Sequence, residues 1–367
     1  MKKTIQILSV LITAAVTGVT GFSADANFNG ANNAELMDHL SRVPLATDPI
    51  VVKDGLTANV SKTQEIYQLR AGISSSAGTI YMTGGTTTVN RTEGNAIWLG
   101  TAGASAPKGS FYMSGGSLNV SGGGITIAAA GSATTTASAL LGVTGGSITV
   151  ADNITIANAA TNSASNGTME ISNAFVSTKG FIVGSGNTVA AGSFAKLTIH
   201  HDANVSSAGN TAGLNIRKSG TLSLVVGDGE STFFNAVDFS QSTNSIVVSV
   251  GAKLEIDLSN LSWVMADPTD SITLNLIDYT GGTKGSIENF DLSLTGAGVT
   301  NVTDVAGSDW TYLFTKNGEE YAAQFTFGAD ALSLTIMDAS AIPEPSTYAA
   351  LMALAALVFV MHRRRKV

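Results

Sequence analysis

The chain contains no cysteine, which excludes disulfide staples, thiol nucleophiles and thiolate metal sites together. Charge is also scarce, at 13% of 367 residues, and between Asn95 and His201 the only acidic residues are Asp152 and Glu170. A stretch that poor in carboxylates offers little material for acid–base chemistry. The overall balance of −8 disfavours electrostatic binding to nucleic acid or anionic lipid. Prolines number only six against forty glycines, amid abundant Ser, Thr, Ala and Asn; this composition suits a repetitive β-protein. No P-loop, dinucleotide fingerprint, nucleophile elbow or well-spaced metal motif is present, and no cofactor is expected.

A weak repeat of about 30 residues is present. Its first line reads Tyr81-Met-Thr-Gly-Gly-Thr-Thr-Thr-Val89, then Tyr112-Met-Ser-Gly-Gly-Ser-Leu-Asn-Val120, then Leu141-Gly-Val-Thr-Gly-Gly-Ser-Ile-Thr-Val150. The glycine pairs fall at 84/85, 115/116 and 145/146. Fainter copies begin at Met169 and Leu197, and each first line is answered by a second: Ile97-Trp-Leu99, Ile125-Thr-Ile127, Ile154-Thr-Ile156, Phe181-Ile-Val183 and Leu214-Asn-Ile216. Every line alternates apolar with small polar residues, the period of a half-buried strand, and Gly-Gly supplies turns that reach positive φ. Two or three strands and two turns per repeat fit one coil of a β-solenoid, whose stacked like residues bury a core no single coil could bury. The expected fold is therefore all-β: a single elongated β-solenoid, taken as a right-handed β-helix, with an antiparallel β-sandwich as the alternative. Expected boundaries are an N-terminal cap over 27–70, with a short helix from Asn33 to Leu40, and repeats over 71–220. Irregular coils and a cap follow over 221–341. Leu-rich alternating strands followed by Ile277-Asp-Tyr-Thr-Gly-Gly282 resemble the later coils of autotransporter-passenger β-helices.

Candidate chemistry is thin. His200-His201-Asp202 is the one local cluster, but adjacent strand residues point to opposite faces, so both histidines cannot ligate one metal from a strand. The acidic pairs Asp228/Glu230, Glu255/Asp257, Asp267/Asp270 and Glu319/Glu320 suit turns or solvated strand faces as well as they suit a site. Thr86-Thr87-Thr88 and Thr134-Thr135-Thr136 invite comparison with water-ordering threonine arrays, yet Thr is simply a good strand residue. No residue is assigned a catalytic, cofactor-binding or metal-binding role.

The two ends carry the firmest signals. Lys2 and Lys3, an apolar stretch from Ile5 to Val19, and Ala24-Asp25-Ala26 form a secretory signal peptide over 1–26. At the other end stand Pro343-Glu344-Pro345, an uncharged run from Tyr348 to Met361, and His362-Arg363-Arg364-Arg365-Lys366. The prolines stop the folded body. The fourteen-residue run spans roughly 21 Å as a helix, short of the about 30 Å hydrocarbon core. The arginines would hold its end at the cytoplasmic face. These parts over 342–367 resemble the PEP-CTERM protein-sorting tail, also known as the ice-binding protein C-terminal domain. The resemblance implies a transmembrane-type helix in the precursor and a membrane protease of the exosortase type as partner. It also implies that Pro343, Glu344, Pro345, Arg363, Arg364 and Arg365 form the processing signal. With leader and tail removed, 13 basic and 25 acidic residues remain, a net charge near −12.

The expected function is an exported cell-envelope or exopolysaccharide-associated structural or adhesive protein, without enzymatic activity, anchored to the membrane before processing and contacting extracellular polysaccharide. The alternative is a polysaccharide-degrading β-helix enzyme, which would need carboxylates and a basic residue converging in one groove.

Overall fold

A computed structural model describes residues 25–40, 44–74, 76–102, 108–130, 136–159, 163–186, 192–207, 213–227, 237–240, 246–261, 270–305 and 310–341. They form an all-β solenoid of about seven complete turns, with three short 3-10 turns and no α-helix among the described residues. The expected C-terminal helix over Tyr348–Met361 lies outside them.

Each complete turn has three sides. Side I is a parallel sheet of ten rungs running from Ala34–Glu35 to Asp291–Thr295; at about 4.8 Å per step the stack is roughly 43 Å long. Side II runs from Gln64–Ile66 to Ser271–Asp278, and side III from Ala26–Asn27 to Ile246–Val248. The chain visits them in the order I, II, III. Strands Ser147–Ala159 and Phe175–Val183 pass through the II–III corner without a break, each serving two sides.

The paired glycines mark the corner between sides I and II. Gly78–Met82 belongs to side I and Thr86–Val89 to side II, so each first line of the repeat is two strands joined at a bend. Gly85, Gly116 and Gly146 hold φ of 66°, 83° and 84° there, a region open to glycine at little cost.

Inside, like residues stack. On side I the column runs Ile80, Phe111, Leu141, Met169, Leu197, Leu222 and Leu254. On side III it runs Leu69, Ile97, Ile125, Ile154, Phe181, Leu214 and Ile246. All of these are buried. Beyond the III–I corner the strands of these two sides pack on each other as a thin two-layer fin around a small alanine core of Ala128, Ala130, Ala137 and Ala159.

Parallel pairing already includes Ala26–Asn27, Pro49–Val52 and Leu56–Val60, so coils occupy the segment expected as an N-terminal cap. The helix expected over Asn33–Leu40 is not formed. Asn33 turns with φ of 66°, Ala34–Glu35 pairs with Ala58–Asn59, and only Met37–His39 makes a 3-10 turn. A short segment with one rung to join gains more from the ladder than from a helix too short to nucleate. At the far end the last rung of side II, Ser271–Asp278, pairs antiparallel with Ala331–Asp338. Behind that strand follow Glu319–Phe327, Thr311–Lys316 and Val299–Asp304 in an antiparallel series. Covering the last edge of side II this way removes a template for strand addition there. The hairpin turns at Asn317-Gly318, φ 54° and 92°, as that dipeptide favours. Buried Lys316 donates from Nζ to the Leu258 carbonyl and ties the hairpin to the coils.

Candidate functional site

The strand alternation that sends Ile, Leu and Val inward sends a second set of residues to solvent in register. On side II two outward ranks result. One reads Thr86, Ser117, Ser147, Phe175, Asn204; the other reads Thr88, Asn119, Thr149, Ser177, Ser206. Nine of these ten side chains are neutral hydrogen-bonding groups, and adjacent rungs touch, as in the 3.1 Å contact between the Ser147 and Ser117 hydroxyls. Thr87 faces the core, 2% exposed, where the Gln64 amide donates to its hydroxyl at 3.3 Å.

Side I carries an aromatic feature. Tyr81 and Tyr112 stand in register on adjacent rungs with rings stacked 5.1 Å apart at 15°, and the next residue in that rank is Gly142. Further along, charge enters. His200 Nε2 lies 2.9 Å from Glu170 Oε1, and Lys196 Nζ donates to Glu255 Oε2 at 2.7 Å.

The sequence candidates separate in space. His200 ends its strand on the outer surface, whereas His201 sits in the I–II corner against Gly227, so the cluster is pulled apart. Glu255 is engaged by Lys196. Asp257 accepts from the Ser259 backbone N–H at 2.8 Å, a local turn bond that explains the residue without a ligand. Glu319 and Glu320 open the strand after the Asn317-Gly318 turn. Asp228, Glu230, Asp267, Thr134 and Thr135 lie outside the described residues, as do Pro343, Glu344, Pro345, Arg363, Arg364 and Arg365. Among the described residues no group of three or more His, Asp or Glu side chains is placed to hold a metal ion. Arg70, outward on side III and 3.6 Å from Asp25, has its pKa pulled down by burial, an effect partly opposed by that carboxylate.

The tyrosine pair was the feature that residue-type searching missed. Its signal was present in the repeat, where Tyr81 and Tyr112 occupy one column, each followed by Met, and that column turned out to face solvent.

No match was found among curated proteins or among solved structures. Among the described residues no helix is long and apolar enough to cross a membrane. Residues 341–366 match the PEP-CTERM protein-sorting motif; the chain is thus a β-solenoid carrying that sorting signal, which marks an exported protein handled by an exosortase, a membrane protease.

Proposed function

We propose that the solenoid body is a non-enzymatic structural or adhesive element of the cell envelope or extracellular matrix, delivered by its sorting tail and contacting polysaccharide through its outer sides. The observation that carries this is the pair of in-register ranks on side II, from Thr86 to Asn204 and from Thr88 to Ser206, neutral and rich in hydroxyls and amides over five rungs. Each such group offers a hydrogen bond worth about 0.5–1.5 kcal/mol net, too little for a discrete pocket. Repeated along a rigid rod, and displayed in many copies on a surface, weak contacts add through effective concentration. Charge enters these ranks at their ends, as carboxylates at Glu65 beside Thr88 and Asp238 beside Ser206, which suits a neutral, hydrated polymer better than a phosphate or sulfate backbone.

The test is fractionation of the native host into membrane, envelope, matrix and medium, followed by digestion of the matrix polysaccharide. Recovery of the protein in the envelope or matrix, with release on digestion, is the expected result. A protein found free in the medium, with no envelope or polysaccharide association, would overturn the reading.

A further inference from the structure

We propose that the Tyr81–Tyr112 stack on side I is a sugar-stacking subsite for a neutral polysaccharide chain, an assignment that rests on the surface-adhesive reading above. Three observations carry it.

First, the chain sends these two large rings outward while their neighbours go in. Phe111 and Met113 are 2% and 1% exposed, whereas Tyr81, on the same side, is 40% exposed. Apolar ring area left in water on an otherwise hydroxyl-bearing sheet invites a partner.

Second, Gly142 has no backbone reason to be glycine, since its φ lies outside the left-handed region, and glycine weakens a strand interior. A Cβ there would stand 3.2 Å from Cδ1 and 3.6 Å from Cε1 of Tyr112. The missing side chain leaves the Tyr112 ring room to lean over Gly142, with Tyr81 stacked against it, so the pair presents its outer edges and remaining ring face together.

Third, the surroundings are neutral and polar. Thr79 and Ser110 form the neighbouring outward rank, and Asn59 precedes Tyr81 in its own. The nearest charges in these ranks are Lys108, two residues back on the Ser110 strand, Glu35, two rungs before Tyr81, and Glu170, two rungs beyond Tyr112. A pyranose ring matches this chemistry, with an apolar C–H face for the tyrosine ring and hydroxyls at its rim for Thr, Ser and Asn. Single-stranded nucleic acid also stacks on aromatics, but it needs a basic groove for its backbone, which this region lacks.

Cross-strand aromatics can also cover strand glycines for stability alone. That accounts for Tyr112 over Gly142, and for Tyr81 it offers only the stack on Tyr112, a small gain in stability that by itself predicts no effect on polysaccharide binding. Tyr81→Ala is therefore the discriminating variant, with Tyr81→Phe as the conservative partner that keeps the ring.

The experiment is affinity gel electrophoresis of the full-length protein in gels containing dextran, laminarin, xyloglucan or galactomannan, with alginate as the anionic control and the host's own exopolysaccharide as a further matrix. The expected result is retardation by at least one neutral polymer, weakened about tenfold in Tyr81→Ala and retained in Tyr81→Phe, with all three proteins cooperatively folded and Tyr81→Ala showing only the small drop in thermal midpoint expected from the lost ring stack. Equal retardation of Tyr81→Ala, or preference for alginate, would overturn the subsite. Binding to host exopolysaccharide that survives Tyr81→Ala would overturn it while leaving the adhesive reading standing. No retardation in any matrix would overturn both.

Discussion

Ala128 and Ala157 occupy equivalent positions on adjacent coils, one residue past the paired Ile127 and Ile156, and both hold a left-handed backbone, φ 58° and 57°. Earlier coils place Gly72 and Gly100 at the same bend, φ 63° and 62°. The bend turns side III into the fin, and it is retained whether the residue is glycine or alanine.

The two residue types predict different responses to substitution. At Gly100 a Cβ would meet the Ser138 carbonyl oxygen at 2.3 Å, a backbone atom that cannot swing away. Gly100→Ala combines left-handed strain with overpacking and is expected to cost about 2–5 kcal/mol. Ala128→Gly relieves roughly 1–2 kcal/mol of strain. It also loses a fully buried methyl, about 0.8 kcal/mol, and adds about 0.5–1 kcal/mol of chain entropy cost. The net effect should fall within about 1 kcal/mol of zero by the same arithmetic. Denaturant titration of both variants checks this; equal destabilisation would mean the bend is not the stress point.

The inner column on side III should be intolerant of truncation. Ile154 is fully buried between Ile125 and Phe181 on neighbouring rungs, and neither neighbour can shift along the stack without breaking its own register. Ile154→Ala is expected to cost about 2–5 kcal/mol. Ile182→Ala, outward on the next coil opposite Thr155, should cost under about 1 kcal/mol. Comparable losses at both positions, read from thermal unfolding, would contradict the assigned facing.

Much of this architecture was legible in the repeat. The glycine pairs recur because each coil must bend at the same place, and the Ile-x-Ile second lines recur because stacking demands like shapes above and below. The turn at each glycine pair was legible, but not that it places Tyr81–Met82 and Thr86–Val89 on two different sides, since alternation continues across the bend. The fin was hidden for another reason: Ala128, Ala130, Ala137 and Ala159 pack as small residues, with too little hydrophobicity to signal a second core. The tyrosine pair needed the facing of one column, which a sequence leaves ambiguous by one residue.

The antiparallel cap should be sensitive to alkali. Tyr279 is 1% exposed, donates to the Gly328 carbonyl at 3.0 Å, and has its pKa pushed up from 10.0 to about 12, by burial first and then by Glu288 and Asp330. The folded state therefore holds this proton more tightly than the unfolded chain does. Its stabilisation is fully present below pH 10 and is lost as pH rises through about 12, a loss of roughly 2–3 kcal/mol. Burial also raises Tyr312 and Tyr321 in the same cap, so the alkaline transition should be steep. Tyr279→Phe should be about 1 kcal/mol less stable at neutral pH yet lose less stability between pH 10 and 12. An unchanged alkaline slope in that variant would place the titration elsewhere.

The ends of the mature protein test the sorting assignment directly. Cleavage after Ala26 would remove Asp25, which lies 3.6 Å from Arg70, and Ala26, which pairs with Ile50; Asn27 would remain opposite Val51 as the first rung. The coils from Pro49–Val52 onward keep their pairings with one another, so leader removal should leave the fold standing. At the other end, the matched segment 341–366 follows the last cap strand, Ala331–Asp338, so removing it unpairs no described strand. Intact mass of the protein from its native host is expected to show a chain beginning at Asn27 and ending near Pro345. Joint replacement of Arg363, Arg364 and Arg365 by Gln should leave the full tail in place and shift the protein to the membrane fraction. If the wild-type chain retains Tyr348–Met361, the tail is a permanent anchor. If the triple variant is trimmed like wild type, the arginines are not part of the signal, and recognition must rest on Pro343-Glu344-Pro345 and the apolar run.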